Sequence, residues 1–182
     1  GSIKLYNQQI ENELLKKELC ARKIQPGQTQ ATLVLSNGES IDLGMNSTEN
    51  QKKLVMQKQK LSAKLTNKEK HKGAKNNLLI TPKGGEFKII LEDSTEVWLN
   101  AESKLVYPEF FGKDERRVTV QGEAFFKVKK NLEKPFLVET DGQLLKVYGT
   151  EFNIRSYKAD KAVYTTLVRG SISIGSMYGY HG

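Results

Sequence analysis

The stretch KIILEDSTEVWL, residues 88–99, decides the fold of this chain. Apolar and polar side chains alternate on both sides of Asp93-Ser94, a pair typical of a turn. Because alternation with a period of two is typical of β-strands, the stretch predicts a hairpin. TLVLSNGESIDL, residues 32–43, repeats the pattern around Asn37-Gly38 and predicts a second hairpin with a tight turn, since both turn residues tolerate a positive φ. We interpret the likeness as the common pattern of hairpins rather than as a duplication.

Short alternating segments continue to the end of the chain, each bounded by Gly, Pro, Asn or Asp. They predict strands at residues 105–107, 116–120, 124–128, 136–140, 144–148, 152–157, 163–168 and 171–174. Short strands with a turn every eight to twelve residues are typical of all-β folds. The sequence therefore predicts an all-β domain, an antiparallel sandwich, barrel or solenoid-like roll, preceded by one N-terminal helix.

That helix is predicted over residues 3–24, where apolar residues recur at steps of three and four, and Pro26-Gly27 ends it. It is interpreted as a stalk carried over from beside a membrane anchor, with a docking helix as the alternative. The predicted layout is a cloning scar (1–2), a helical stalk and linker (3–30), a hairpin lead-in with a Lys-rich loop (31–75), a core β-domain (76–175) and a truncated tail (176–182).

The composition limits the classes of function. The formal net charge is +8, but the lysine-rich stretch from Lys52 to Lys75 contains no aromatic residue that could stack on a base. We therefore expect no nucleic-acid partner. One cysteine and two histidines do not supply a disulfide or a typical zinc site, so no metal or cofactor is expected. No apolar run of 18 residues is present, and a membrane anchor is expected outside this chain.

Catalytic residues are not evident. Glu92 and Asp93 point to opposite faces of a regular strand, so they cannot form a pair of facing carboxylates, and a turn role is predicted instead. Glu123 follows Gly122 and is predicted to pair with Arg116 or Arg117 on the preceding strand, with substrate binding as the alternative. Most aromatic residues are interpreted as core. The sequence thus predicts a protein that is not an enzyme.

Five phrases follow one another in a fixed order: LEDSTEVWLNAESKLVYP (91–108), RVTVQGEAFFKV (117–128), KPFLVET (134–140), VYGTEFNIRSY (147–157) and TTLVRGSISI (165–174). Together they resemble the core domain of FecR-type anti-sigma regulators, and the likeness covers most of residues 24–174. Ser94 and Glu92 depart from the family pattern, which has Gly and Pro at these positions. The residues that carry the motif are expected to be mainly structural, and they are Asp93, Trp98, Asn100, Gly122, Glu123, Pro135, Gly149, Thr150, Phe152, Asn153 and Gly170.

The resemblance implies a single-pass protein of the inner membrane, with the residues of this chain on the periplasmic face. This part would sense the signalling domain of an outer-membrane TonB-dependent receptor. A cytoplasmic part outside this chain would hold an extracytoplasmic-function (ECF) sigma factor. Strand addition at a sheet edge is the physical mode expected for the receptor contact. The alternative is a cell-envelope β-domain that binds glycan, which would present an exposed aromatic row beside a groove.

Overall fold

The computed structural model describes residues 28–44 and 75–176, and within these ranges all regular elements are strands. The predicted helix over residues 3–24 and most of the Lys-rich loop lie outside the described residues. The strands are β1 (Gln28–Thr29), β2 (Thr32–Val34), β3 (Ser40–Asp42), β4 (Asn76–Ile80), β5 (Gly85–Ile90), β6 (Glu96–Leu99), β7 (Lys104–Pro108), β8 (Arg116–Lys127), β9 (Phe136–Glu139), β10 (Gln143–Val147), β11 (Glu151–Ser156), β12 (Tyr164–Arg169) and β13 (Ser173–Ser176).

The strands form two sheets that share β8. The first sheet has the order β3-β2-β4-β7-β8-β9-β10-β13, and the second has the order β1-β5-β6-β8-β11-β12. Buried side chains of both sheets pack in one core. The all-β prediction is confirmed, although the sheets are mixed because β1 pairs with β5 and β8 pairs with β9 in parallel.

Strand β8 changes sheet at Gly122. Its first half pairs with β7 and β9, whereas its second half pairs with β6 and β11. Gly122 has a φ of 98°, and a Cβ placed there would lie 2.3 Å from Oγ and 2.8 Å from Cα of Ser103. Only glycine combines this φ with such a close approach. The prediction of two strands separated at Gly122 was wrong, because the glycine bends one continuous strand instead of ending it.

Aromatic side chains fill the centre of the core. Phe126 and Phe152 are fully buried cross-strand neighbours whose rings stack with centroids 5.2 Å apart. Phe136 belongs to the first sheet, and its ring centroid lies 6.0 Å from that of Phe126, so the two rings connect the two layers. The interpretation of these residues as core is confirmed, but Trp98 and Tyr148 stay 36% and 38% exposed. Of the ten aromatic residues from Trp98 to Tyr157, five are buried in the core, so the expectation that most of them are core holds for only half; the five are Tyr107, Phe111, Phe126, Phe136 and Phe152.

The two predicted hairpins share one loop geometry. The amide of Leu35 donates to the carbonyl of Glu39, and the amide of Leu91 donates to that of Thr95, both at 2.8 Å. The third loop residue has a positive φ in each, 86° at Gly38 and 70° at Ser94. This pattern is that of a three-residue loop with a positive φ at its last residue, and it confirms both predicted hairpins. Ser94 therefore adopts the positive φ that explains why the family pattern has glycine at this position.

Asp93 joins this loop to a buried cation. Its carboxylate accepts hydrogen bonds from the amide and hydroxyl of Thr95 at 3.0 and 2.8 Å, which confirms the predicted turn role. It also accepts a 2.7 Å hydrogen bond from Nη1 of Arg116, which is 2% exposed. The guanidinium donates further to the carbonyls of Lys129 and Lys134 at 2.8 and 3.0 Å. Arg116 thereby ties two loops, the β5–β6 loop and the β8–β9 connection, to the start of β8.

We expect Gly122→Ala to lower the free energy of unfolding by about 3 kcal/mol, because a Cβ would be forced into Ser103 at a positive φ. Urea denaturation of the full chain measures this. Gly112→Ala is the matched control, since a Cβ there would lie in ordinary van der Waals contact, 3.7 Å from the carbonyl oxygen of Glu115. Equal losses in the two variants would contradict the assignment of Gly122 as the bend.

Asp93→Ala is expected to cost about 3 kcal/mol of unfolding free energy, because it leaves the buried Arg116 charge without its counter-ion. Thermal and urea denaturation check this value. Glu115→Ala removes an exposed ion pair with Arg117 and should change stability by less than about 1 kcal/mol. An Asp93→Ala variant as stable as Glu115→Ala would show that the buried pair contributes little.

Candidate functional site

The outer face of the second sheet carries a row of four cross-strand neighbours. Lys88 lies opposite Trp98, Trp98 opposite Phe125, and Phe125 opposite Asn153, one residue from each of β5, β6, β8 and β11. The Trp98 and Phe125 rings have centroids 5.5 Å apart, and Nζ of Lys88 lies 4.5 Å from the Trp98 centroid. Strand alternation places these side chains on the face opposite to the core. The sheet thus presents two aromatic rings between a cation and an amide.

A carboxylate held by two amides lies beside this row. Glu123 accepts hydrogen bonds from Nδ2 of Asn100 at 3.0 Å and from Nδ2 of Asn153 at 2.9 Å. Its backbone amide donates to Oγ of Ser103 at 2.9 Å, next to the bend in β8. An ionised carboxylate has about four acceptor positions, so each oxygen can still accept from a ligand. The side chain of Glu123 is therefore fixed in direction and remains able to bind.

The predicted pairing of Glu123 with Arg116 or Arg117 was wrong. Arg116 pairs with Asp93, and Arg117 pairs with Glu115 and Glu139. The six or seven residues that separate these arginines from Glu123 span about 20 Å of strand. The bend at Gly122 also puts Glu123 in the second sheet, whereas both arginines pair in the first. The partners of Glu123 are consequently asparagines from β11 and from the end of β6.

These residues line a shallow groove of about 350 Å³. Its lining includes the two aromatic rings, the carboxylate and both asparagines, together with Thr29, Glu86, Phe87, Lys88 and Leu99. The charged groups in the lining are of both signs, which does not match a polyanion. An apolar surface with a few convergent polar groups is typical of a small-ligand site.

An ion pair at one end of the groove fixes the position of Lys88. Nζ of Lys88 lies 2.5 Å from a carboxylate oxygen of Glu96, in an exposed pair. The hydrogen bond from Lys88 lowers the pKa of the Glu96 carboxyl below its usual value. Glu96 therefore stays ionised at neutral pH and holds the ammonium group near the Trp98 ring.

The β12 edge, residues Tyr164–Arg169, is a second exposed surface. Tyr164, Leu167 and Val168 are 57%, 48% and 61% exposed. Within the described residues β12 pairs only with β11, so its other side offers backbone amides and carbonyls. Exposed apolar side chains on an edge strand mark a surface suited to a partner.

The remaining motif residues hold the fold together. The roles of Asp93 and Gly122 are described above. The carbonyl of Pro135 accepts a 2.8 Å hydrogen bond from the amide of Arg116, and Phe152 is buried in the core. Thr150 donates to the carbonyl of Ser171, and Gly149 passes Lys130 so closely that a Cβ would lie 2.8 Å from its Cα. Gly170 has a φ of 97°. Of the predicted residues, the structure brings Trp98, Asn100, Glu123 and Asn153 together at the groove.

Sequence reasoning missed Lys88 and Phe125 as groove residues. The signal was present for Phe125, because it shares its strand face with Glu123, two residues away. Nothing in the sequence indicated that β5, β6, β8 and β11 would be neighbours in this order. Within the described ranges, no group of three or more His, Cys, Asp or Glu residues could hold a metal ion, and no helix is long and apolar enough to cross a membrane.

Comparison with known proteins identifies the family. The FecR protein family matches residues 77–173, which is a little more than half of the chain. Two crystal structures, each described as that of an anti-sigma factor from Parabacteroides distasonis ATCC 8503, are similar to the chain. One is 28% identical over 56% of this chain and 60% of the other, with a TM-score of 0.47. The second is 29% identical over 54% and 59%, with a TM-score of 0.45.

The chain thus spans about 60% of the length of these solved structures. No functionally curated protein matches it. The family match includes the hairpin at Asp93, the bent strand β8 and the groove residues Trp98, Asn100, Glu123 and Asn153. By that match, the chain belongs to the FecR family of sensors and anti-sigma regulators.

Proposed function

We propose that this chain is the periplasmic part of an inner-membrane FecR regulator. It contacts the signalling domain of an outer-membrane TonB-dependent receptor and relays the state of that receptor to an ECF sigma factor. Membership of a regulatory family supports this role. The observation that carries the proposal is the β12 edge.

Strand addition explains how the β12 edge would bind the receptor domain. An edge of six residues offers about six backbone hydrogen bonds to an added antiparallel strand. Each backbone hydrogen bond contributes about 1 kcal/mol net. Burial of Tyr164, Leu167 and Val168 would add the apolar part of the contact. The edge thus supplies both affinity and a register for the partner.

Charge around the edge indicates the chemistry of the partner. Exposed Lys158 and Lys161 precede β12, and exposed Arg169 ends it. Across the sheet, Arg155 is paired with Asp160 at 2.9 Å. The basic residues at both ends of the edge favour an acidic partner surface, which would also raise the association rate. We propose a receptor domain with acidic residues flanking its added strand.

The rest of the proposed relay lies outside the described residues. We assign residues 3–30 to a stalk that leads to a single membrane span, with the cytoplasmic sigma-binding part beyond that span. Residues 76–175 form the sensor domain, and residues 31–75 lead into it. Within the described range, β1 joins the edge of β5 through hydrogen bonds of 2.9 and 3.1 Å, so the stalk would enter the domain beside the second sheet.

Val168→Asp is expected to weaken binding of the receptor signalling domain at least tenfold, because it places a charge in the apolar contact. Isothermal titration calorimetry with the full chain and the signalling domain of the cognate receptor measures this. Val168 is 61% exposed, so the variant should fold normally.

Leu132→Asp is the matched control, since Leu132 is 69% exposed and lies in the connection between β8 and β9. It should bind like the unaltered chain. The proposal for the β12 edge fails if Val168→Asp binds with full affinity. Absence of heat between the unaltered chain and the receptor domain would count against the proposed function itself.

A further inference from the structure

We infer that the groove on the second sheet is a saccharide-binding site that takes a neutral chain of β-linked hexopyranoses. This site lies on a face of the sheet, whereas the proposed receptor contact lies on the β12 edge. The inference goes beyond receptor sensing and does not depend on it. It rests on the juxtaposition of Trp98 and Phe125 with the Asn100–Glu123–Asn153 cluster.

The aromatic pair supplies the apolar half of the recognition. The flat face of a hexopyranose carries C–H groups, which pack against aromatic rings. The Trp98 and Phe125 rings are tilted by 60° at 5.5 Å, so together they form a bent platform rather than a parallel stack. Trp98 is 36% exposed although it lies in the middle of a sheet face, and its exposed ring area gains from burial by a ligand.

The held carboxylate supplies the polar half. Neighbouring hydroxyls on a pyranose ring can donate together to the two oxygens of one carboxylate. Glu123 has one oxygen bonded to each asparagine, which fixes the carboxylate plane and leaves an acceptor position on both oxygens. A carboxylate that is already ordered loses little conformational entropy on binding, so the groove is preorganised for a diol.

Charge and shape exclude other classes of ligand. The groove has Glu86 and Glu123 against Lys88, so its formal charge is −1 and it does not attract a polyphosphate. An added peptide strand needs unpaired backbone groups, and the groove lies over strands β6 and β8 that are paired on both sides. β-1,4-Linked hexopyranose chains, such as those of both probes below, are extended and flat, which matches a shallow groove across several strands.

Trp98 is the only tryptophan of the chain, so its fluorescence reports on this site alone. The experiment titrates the full chain with chitotetraose and with cellotetraose, which share the β-linked ring and differ in the N-acetyl group. We expect a saturable blue shift with at least one of them and a dissociation constant of about 1 mM or tighter. Binding of chitotetraose alone would identify the N-acetylated chain as the ligand. Binding of both would show that the site recognises the pyranose ring that the two tetrasaccharides share.

Calorimetry then tests the residues. Trp98→Ala and Glu123→Gln should each weaken saccharide binding about tenfold or more. The control Leu132→Asp should leave the affinity unchanged. Circular dichroism and the thermal midpoint establish that each variant is folded.

Three results would overturn the inference. The first is no fluorescence change at about 10 mM of either tetrasaccharide with folded protein, which is an affinity too weak to matter. The second is saccharide binding that Trp98→Ala and Glu123→Gln leave unchanged. The third is a blue shift that depends on protein concentration alone, which would identify a second copy of the chain as the occupant. None of these results bears on receptor binding, which this titration does not contain.

Discussion

The close approach of Gly122 to Ser103 is the constraint on which the rest of the structure depends. A Cβ at position 122 would lie 2.3 Å from Oγ of Ser103, and that same hydroxyl accepts a 2.9 Å hydrogen bond from the amide of Glu123. The bend lets one strand leave the first sheet and enter the second. Without it, the aromatic residues of the two layers could not meet in a single core.

The same bend separates two charged residues of β8 into different roles. Arg116 lies at the buried start of the strand, where Asp93 and two backbone carbonyls accept hydrogen bonds from Nη1 and Nε of its guanidinium. Glu123 lies just beyond the bend, where two asparagines hold it at the groove. A buried charge needs partners in fixed positions, whereas a surface carboxylate held in one direction is suited to recognition. One strand thus contributes both to the stability of the fold and to its candidate site.

Local patterns predicted the elements better than their assembly. Alternation around Asp93 and Asn37 identified both hairpins, because each is decided by neighbouring residues. The sequence did not reveal β4, the continuity of β8 or the parallel pairs, because these depend on which distant segments become neighbours. Motif residues such as Trp98 and Asn153 were identified as a set, but their convergence at a groove follows from strand order, which no local pattern encodes. The predicted pairing of Glu123 with Arg116 or Arg117 was wrong for the same reason, because it depended on the course of β8 and on the neighbours of that strand.

We propose that this FecR domain, built on one bent strand, binds a receptor signalling domain through the β12 edge. Amide hydrogen exchange of the full chain, with and without the receptor signalling domain, tests this most directly. The account predicts new protection of the amides of Tyr164–Arg169, which an added strand would bond, and little change in β6. Unchanged exchange along β12, with protection appearing at β3 or elsewhere while the complex forms, would contradict it.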